Sequence, residues 1–313
     1  MNTSRLSIVG ALCLLTLVSL ASIGSAADWR VPGDFATIQE AINSSAVVVA
    51  DRILVGAGAH AGAVVTKSVE IKGEDGAVIN SGPAHGSGLV QGFRFLAGSD
   101  GATISHLRFE VDLVIMNGAA VNDVTITQNT FVNAVQAVTN WRGDGWQITH
   151  NKIVDLRTRC GGGIGVLVGD LAGGSVSDNV VAHNTITGTL HVSSGDCGDY
   201  NGSGIVLYAD FRWGAAGAKE LAYNRIIKNK IALTSDTPQV VDVVAIELTD
   251  TRGVAAPSPV IFDNAIGFND LRGTALQIDL TPDGLDAVND ISRNLGENRG
   301  HGLHPSVFGP GDN

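Results

Sequence analysis

The stretch ITQNTF at residues 126–131 decides the fold, because close copies of it recur along the chain. Each copy has an aliphatic residue, two variable positions, an asparagine, one variable position and an apolar residue. The other copies are ISHLRF (104–109), ITHNKI (148–153), VAHNTI (181–186), IIKNKI (226–231) and IGFNDL (266–271). Successive copies start 22, 22, 33, 45 and 40 residues apart. This spacing indicates a fixed structural unit that accepts insertions on one side.

An asparagine occupies the same position in every copy except the first, where Leu107 replaces it. The asparagines are Asn129, Asn151, Asn184, Asn229 and Asn269. Asparagine tolerates the left-handed backbone conformation of a two-residue bend, and its amide can bond to an identical amide in a coil about 4.8 Å away. We therefore expect these asparagines to adopt that conformation and to form a ladder.

A second strand-like block follows each asparagine, with alternating and β-branched residues typical of a strand. The blocks are AVQAV (134–138), GIGVLV (163–168), GIVLYA (204–209), VAIEL (244–248) and ALQIDL (275–280). Three short strands per coil, with every coil stacked on the last, describe an all-β fold, the single-stranded right-handed parallel β-helix, which is a solenoid. We expect one elongated domain over residues 28–313 with about eight to ten coils.

The entry to this domain contains motifs that point to a known group of proteins. A helical pattern runs from Phe35 to about Ser44 and includes TIQEAI (37–42), and it is followed by DRILVGAGAH (51–60) and IKGE (71–74). With these motifs the chain resembles the right-handed parallel β-helix repeat proteins of the pectin-lyase-like superfamily, over nearly all of residues 28–313. The resemblance implies a short N-terminal capping helix. It also implies a superfamily of polysaccharide lyases, hydrolases, epimerases, and binding or periplasmic accessory proteins.

Residues 1–27 have the features of a secretory signal peptide. Arg5 precedes an apolar run over residues 8–20, and small residues close the segment at 24–27. The run is shorter than the ~20 residues of a membrane-spanning helix, so we expect no stable membrane insertion. These features predict a protein that is secreted or periplasmic.

Charge and cysteine content narrow the partners and the redox chemistry. The chain is 44% hydrophobic and carries a formal net charge of -11, which indicates a packed protein and disfavours nucleic acid as a partner. Cys160 and Cys197 precede two neighbouring second blocks, and an even pair of cysteines in an exported chain is more often a disulfide than a metal site. One coil spacing suits a bridge, so we predict a Cys160–Cys197 disulfide. Two unpaired thiols are the alternative.

The familiar catalytic signatures are missing. The chain has no HExxH, CxxC, GxSxG or phosphate-binding loop. It also has no clear counterpart of the catalytic segments of pectate lyases, polygalacturonases, pectinesterases or mannuronan epimerases. In the enzymes that the chain resembles, the substrate cleft is formed by the second strand and the loop after it. We therefore place the candidate site there.

Similar residues open the loops that follow several second blocks. They are Asn140-Trp141-Arg142, Asp210-Phe211-Arg212-Trp213 and Asp250-Thr251-Arg252, with Asp170 at the same place in a further coil. Alternation also predicts equivalent outward positions for Tyr208, Glu247 and Asp279 on the blocks themselves. Close carboxylates can bind Ca²⁺ or divide the roles of acid and base. Arginine can bind a sugar carboxylate in a bidentate manner, and a tryptophan ring can stack on a sugar.

These residues give a specific set of predicted roles. The catalytic candidates are Asp210, Glu247, Asp250 and Tyr208, and the substrate-binding candidates are Trp141, Arg142, Arg212, Trp213, Arg252 and Asp279. The predicted partner is a polysaccharide or oligosaccharide, in particular an acidic one, which the protein binds and could cleave or epimerise. No cofactor is required, and Ca²⁺ is an option. The alternative is a non-catalytic structural or binding β-helix, in which the Asp-Arg columns only satisfy the backbone of the turns.

A second column lies on the asparagine side of the coil. It contains His106, Gln128, His150, His183 and Lys228, with Arg108, Lys152 and Lys230 two positions further on. Stacked histidines in an exported protein suggest copper binding, whereas a basic solvated edge is the alternative.

Overall fold

The computed structural model describes residues 26–159, 162–171, 174–192, 202–211, 220–237, 242–252, 258–296 and 298–301. Strands make up 53% of the structure and helices 4%, and the strands form long parallel sheets without barrel closure. The chain is therefore a right-handed parallel β-helix, as the repeat predicts. Residues 1–25, Cys160, Cys197, Arg212 and Trp213 lie outside the described residues, so the predictions made for them remain predictions.

Sheet A runs through the asparagine repeat and has ten strands within the described residues, in line with the predicted eight to ten coils. Its strands are β1 (Asp28–Val31), β2 (Arg52–Val55), β5 (Glu70–Gly73), β8 (Thr103–Ser105), β11 (Thr125–Thr127), β14 (Gln147–Thr149), β18 (Val180–Ala182), β22 (Arg225–Ile227), β26 (Ala265–Gly267) and β28 (Asp290–Ser292). Ile104, Ile126 and Ile148 are paired across three coils and fully buried, because alternate residues of each strand face the interior.

Sheet B follows the bend that ends each sheet A strand. Its strands are β3 (Gly58–Ala61), β6 (Ala77–Ser81), β9 (Arg108–Phe109), β12 (Thr130–Ala134), β15 (Lys152–Arg157), β19 (Thr185–His191) and β23 (Lys230–Ser235). Phe109 and Phe131 stack in the core with ring centroids 5.1 Å apart and planes within 8°. The apolar residue that closes each repeat therefore anchors the start of sheet B.

Sheet C contains the second blocks and completes the coil. Its strands are β4 (Ala63–Val65), β7 (Gln91–Phe95), β10 (Leu113–Asn117), β13 (Gln136–Trp141), β16 (Ile164–Asp170), β20 (Gly202–Ala209), β24 (Val243–Asp250), β27 (Leu276–Thr281) and β29 (Arg299–His301). A shorter sheet D lies between sheets C and A in the later coils. Its strands are β17 (Ser175–Ser177), β21 (Glu220–Ala222) and β25 (Ile261–Phe262).

The asparagines form the predicted ladder between sheets A and B. In the ladder, Nδ2 of Asn151 donates to Oδ1 of Asn184 (3.1 Å), and Nδ2 of Asn184 donates to Oδ1 of Asn229 (3.0 Å). The second Nδ2 hydrogen of Asn184 bonds to the backbone oxygen of Ile148 (2.8 Å). Each amide thus uses both of its donors, and the ladder continues to Asn294.

The backbone of the bend differs from the prediction. The left-handed residue is the one before each asparagine, and before Leu107 in the first copy of the repeat, not the asparagine itself. These left-handed residues are His106, Gln128, His150, His183, Lys228, Phe268 and Arg293, with φ between 57° and 60°. The prediction was wrong because the asparagine side chain must point inward to join the ladder, whereas the preceding residue is exposed and can take the unusual conformation.

A second asparagine ladder, absent from the sequence prediction, lies at the bend that leads into sheet A. Its first member is Asn179, whose Oδ1 also accepts a hydrogen bond from Nδ2 of Asn140 at the end of sheet C (3.1 Å). It continues from Asn179 through Asn224 and Asn264 to Asn289 with amide distances of 2.9 to 3.0 Å. The left-handed residues Asp178, Tyr223 and Asp263 precede Asn179, Asn224 and Asn264, as at the first ladder, whereas Val288 before Asn289 has φ of -119°.

The first coil is closed by the predicted capping helix. Helix α1 spans Ile38–Asn43, and its N-cap residue Thr37 accepts a hydrogen bond from the backbone N–H of Glu40. Ile38 and Ile42 are buried in the core. Among the described residues, no helix is both long enough and apolar enough to cross a membrane.

Candidate functional site

The outward-facing side of sheet C is buried, contrary to the open cleft that the sequence predicts. One outward column is in register across neighbouring coils and fully buried. It consists of Met116, Thr139, Leu167, Val206, Glu247 and Asp279. The apolar members pack with Leu89 and Val135 in a cluster separate from the main core. The physical reason is that strands with apolar residues on both faces need cover on both faces.

The acidic end of this column brings together two carboxyl groups. Glu247 and Asp279 are register partners on strands β24 and β27, and neither side chain is exposed. Their backbones are therefore one strand spacing apart, about 4.8 Å. This confirms the predicted equivalence of these two positions. Among the described residues of sheet C, Glu247 and Asp279 are thus two buried carboxyl groups on directly paired positions.

Hydroxyl groups bind both carboxyls of the pair. Ser203 Oγ donates to Glu247 Oε2 (2.6 Å), and Thr249 Oγ1 donates to Glu247 Oε1 (2.7 Å). Thr281 Oγ1 donates to Asp279 Oδ2 over 3.2 Å. The sequence carries a signal for these contacts that the prediction missed, since Glu-Leu-Thr at 247–249 is matched by Asp-Leu-Thr at 279–281.

The predicted position of Tyr208 beside this pair is wrong. Tyr208 is the register partner of Thr249, whereas Val206 is the partner of Glu247. Tyr208 instead meets Trp141 edge-on, with ring centroids 6.2 Å apart, across the small Gly169. A Cβ on Gly169 would lie 3.1 Å from the Trp141 ring, so glycine makes this contact between non-adjacent coils possible. Both rings are buried, and neither presents a face to solvent.

The loops after sheet C hold their aspartates in contacts typical of turns. Arg252 binds Asp250 through two parallel contacts, Nε to Oδ1 (3.0 Å) and Nη2 to Oδ2 (2.6 Å), and its guanidinium lies 4.2 Å above the Phe211 ring. Asp170 Oδ2 accepts the backbone N–H of Gly174 (2.8 Å). These contacts match the turn-scaffold alternative.

The predicted alignment of Asp210 with Asp250 is also wrong, by one residue. Asp250 is the register partner of Ala209, and so is Asp170 in the preceding coil. Asp210 therefore lies one position beyond the column. Asp210 and Asp250 are both 1% exposed. The loops begin alike in sequence but not in register, so they do not form one continuous acidic column.

Arg142 differs from Arg252 in having no carboxylate partner among the described residues. Its backbone has φ of 64°, and its N–H donates to the Gly169 oxygen (2.9 Å). The side chain is half-buried, and its Nε is buried without a hydrogen bond. Of the described arginines predicted to bind substrate, Arg142 is therefore the one whose guanidinium is not engaged by an aspartate.

Two further features bear on the site, namely its metal-ligand content and its similarity to known proteins. No group of three or more histidine, cysteine, aspartate or glutamate side chains suited to a metal ion occurs within the described part of the chain. His150 and His183 do stack, with parallel rings 4.9 Å apart. Comparisons with family models, curated proteins and solved structures find no match to this chain.

Proposed function

We propose that the protein is an exported β-helix of the pectin-lyase-like superfamily that binds a polysaccharide, with Glu247 and Asp279 as the acid–base pair for its cleavage or epimerisation. The supporting observation is the stacking of these two buried carboxyl groups in register on sheet C. Two ionised carboxylates at one strand spacing repel strongly once water is excluded. Two close carboxyl groups can divide the roles of acid and base, with a proton held by one and accepted by the other.

The hydroxyl groups around the pair support different roles for its members. Glu247 accepts hydroxyl hydrogen bonds at both oxygens, from Ser203 and Thr249. Hydrogen bonds of this kind favour the ionised form of a carboxyl group. We therefore assign Glu247 as the base and Asp279 as the acid. The sequence alone suggests sugar binding for Asp279, whereas we propose proton transfer for it.

Arg142 supports an acidic sugar as the substrate. A guanidinium binds a carboxylate through two parallel hydrogen bonds, and Arg142 has donors that no described carboxylate uses. In contrast, Asp250 already holds Arg252 in a bidentate contact, so Arg252 is the weaker candidate for this task. Ca²⁺ remains an option at the carboxyl pair, because hard oxygen ligands suit this ion.

The test is an assay of the purified protein on polygalacturonate, alginate and a neutral dextran, read as unsaturated products and new reducing ends, with and without chelator. Wild-type protein should act on an acidic polymer, and Glu247→Gln and Asp279→Asn should abolish the activity. Asp290→Asn is the matched control, because Asp290 is exposed on sheet A and the variant changes the net charge equally. Activity of Glu247→Gln equal to wild type on every polymer would reject the assignment.

A non-catalytic binding or structural β-helix is the second candidate. It is favoured by the complete burial of Glu247, Asp279 and Tyr208, since catalysis requires substrate to reach the carboxyl groups. This candidate predicts no product from any polymer in the panel. It also predicts that Glu247→Gln leaves the affinity for any polymer that wild type binds unchanged.

A further inference from the structure

Ala27 is the first described residue whose backbone the fold holds through both its N–H and its C=O. The N–H donates to Asp51 Oδ1 (2.8 Å), and the C=O accepts from the N–H of Arg52 (2.8 Å). Ala26, one residue earlier, is exposed and takes part in no hydrogen bond with the described residues. The hydrogen-bonded part of the first coil therefore begins at Ala27, one residue before β1.

The carboxylate that receives the Ala27 N–H is buried. Asp51 is 2% exposed, and its other oxygen accepts from Trp29 Nε1 (2.9 Å) and from the N–H of Val48 (2.9 Å). Lys67 acts on Asp51 through its charge, but its Nζ donates to backbone oxygens of the loop between α1 and β2. The three groups that bind Asp51 directly are thus neutral donors in the unprocessed chain, whereas a buried carboxylate is held best by a positive partner.

Two peptide bonds in the small-residue segment fit a signal peptidase, which requires small residues one and three positions before the cut. A cut after Ala26 has Ala26 and Gly24 at these positions, and a cut after Ala27 has Ala27 and Ser25. The sequence therefore defines the end of the leader only to within one residue. The contacts of Ala27 distinguish the two cuts, because the later one removes a residue that binds Asp51.

We propose that export removes residues 1–26 by hydrolysis of the Ala26–Ala27 bond, and that the new α-ammonium group of Ala27 forms an ion pair with Asp51. The inference rests on the export included in the proposed function and adds a processing site and a contact to it. A signal peptidase adds water across the peptide bond, so the leader departs with a carboxylate on Ala26 and Ala27 keeps the amine. An α-amino group has an ordinary pKa of about 8, so at neutral pH the amine takes up a proton.

The cut changes the charge of an existing contact, because the Ala27 nitrogen already donates to Asp51 in the uncut chain. Hydrogen bonds between charged groups are about twice as strong as those between neutral groups. Asp51 also binds Trp29, whose ring packs against Phe35 (centroids 5.5 Å apart), and Val48 in the loop after α1. The new charge therefore strengthens the junction between β1 and the capping segment, and processing should stabilise the first coil.

The first experiment determines the N-terminus of protein that a secreting host exports with its own leader, by N-terminal sequencing and intact mass. We expect the sequence Ala-Asp-Trp-Arg, which starts at Ala27. A start at Asp28 or at any other residue would overturn the inference and leave the proposed catalysis untouched. An uncut chain would overturn the inference together with the proposed export. A start at Ala27 in a protein without activity on any polymer would support the inference and reject only the catalysis.

The second experiment tests the ion pair with three purified chains that begin at Ala27, Ser25 or Asp28 and are released from the same cleavable fusion. The Ser25 start is the matched control, because it keeps the Ala27 N–H but carries its ammonium two residues away. The Ala27 start should have the highest Tm, the Ser25 start a Tm about 3 °C lower, and the Asp28 start the lowest.

Two changes remove the ion pair from the Ala27 start by independent routes. Acetylation of its α-amine should lower its Tm to that of the Ser25 start. Asp51→Asn should abolish the difference between these two starts. Equal Tm values for the Ala27 and Ser25 starts would overturn the ion pair, as would a difference that persists after acetylation. The acetylated chain decides the question alone if Asp51→Asn does not fold.

Discussion

The asparagine ladders and the carboxyl pair are both stacks of buried polar side chains on register partners, yet their chemistry is opposite. In the ladders, each amide donates to the next coil and accepts from the previous one, as Asn184 does between Asn151 and Asn229. Carboxylates only accept, so Glu247 and Asp279 cannot satisfy each other without a shared proton or a cation. A ladder therefore stabilises the solenoid, whereas a carboxyl pair costs stability.

This difference separates scaffold from candidate site. The same one-coil repeat that makes identical amides cooperative makes identical charges repel. Costly buried charge is found most often at functional positions. The carboxyl pair lies on sheet C and is part of neither ladder, which is consistent with a role other than scaffold.

The largest effect should come from placing a carboxylate into the first ladder. Asn184→Asp keeps the shape of the side chain but removes two donors and adds a buried charge facing Asn229 Oδ1. We expect a loss of about 4 kcal/mol in the free energy of unfolding at pH 7, measured by urea denaturation. Asn184→Ala, which removes the donors without adding charge, should cost less. A variant as stable as wild type would show that the ladder does not hold the coils.

Asp51 provides a buried carboxylate that has donors in place of a second carboxyl group. It accepts hydrogen bonds from the backbone N–H of Val48 (2.9 Å) and from Trp29 Nε1 (2.9 Å), and, in the chain that retains the predicted signal peptide, from the backbone N–H of Ala27 (2.8 Å). Burial acts to raise the pKa of Asp51, but the bonds from Val48, Ala27 and Trp29 outweigh it and lower the pKa.

Because the folded pKa is lowered, Asp51 stabilises the protein above the pKa of the unfolded chain, and this stability is lost as the pH falls through the folded pKa. Asp51→Asn should therefore lower the free energy of unfolding by about 2 kcal/mol at pH 7. The gap between variant and wild type should close in acid. Urea denaturation across the pH range measures this, and a gap that widens in acid would contradict it.

Thr249 tests whether hydroxyl donors hold the carboxyl pair in place. Thr249→Val keeps the shape of the side chain but leaves Glu247 Oε1 without the 2.7 Å hydrogen bond. We expect a loss of about 1.5 kcal/mol in thermal or urea unfolding. Thr127→Val is the matched control, because Thr127 bonds only another threonine hydroxyl on sheet A, and it should cost less. Equal losses for the two variants would show that Glu247 gains nothing from its hydroxyl partner.

The smallest effect on stability should come from Glu247→Gln. The new amide can donate to Asp279 as the ladder amides donate to one another. The free energy of unfolding should therefore change by less than about 1 kcal/mol. Activity on the polymer should nevertheless be lost. A large loss of stability would mean that Glu247 is a structural residue.

The repeat predicts the fold well because its signal is dense. Ile126, Asn129 and Phe131 each serve one task, as inward strand residue, ladder amide and core anchor, and later copies of the repeat place equivalent residues at these positions. The second ladder is harder to predict, because its asparagine does not recur in the earlier coils. Trp146 holds the position in one coil that Asn179 holds in the next. The left-handed residue of each bend is exposed, so it can be of many types, as Gln128 and His150 show. Residue type therefore does not identify this position in the sequence.

The candidate site is only partly predictable from the sequence. Alternation identifies the face of a residue but not its position along the strand, so a shift of two residues left Tyr208 on the correct face beside the wrong partner. The burial of sheet C has a signal in the apolar outward residues Leu167 and Val206, which a strand facing water on one side would lack.

The most direct test of the central claim compares the pH dependence of unfolding in wild type and in the double variant Glu247→Gln, Asp279→Asn. A carboxyl pair that holds a shared proton in the folded state takes up a proton on folding, so wild type should gain stability relative to the double variant as the pH falls from 8 toward 5. Urea denaturation at each pH measures the difference. Parallel curves for the two proteins would contradict the shared proton and leave Glu247 and Asp279 as two ordinary buried polar groups.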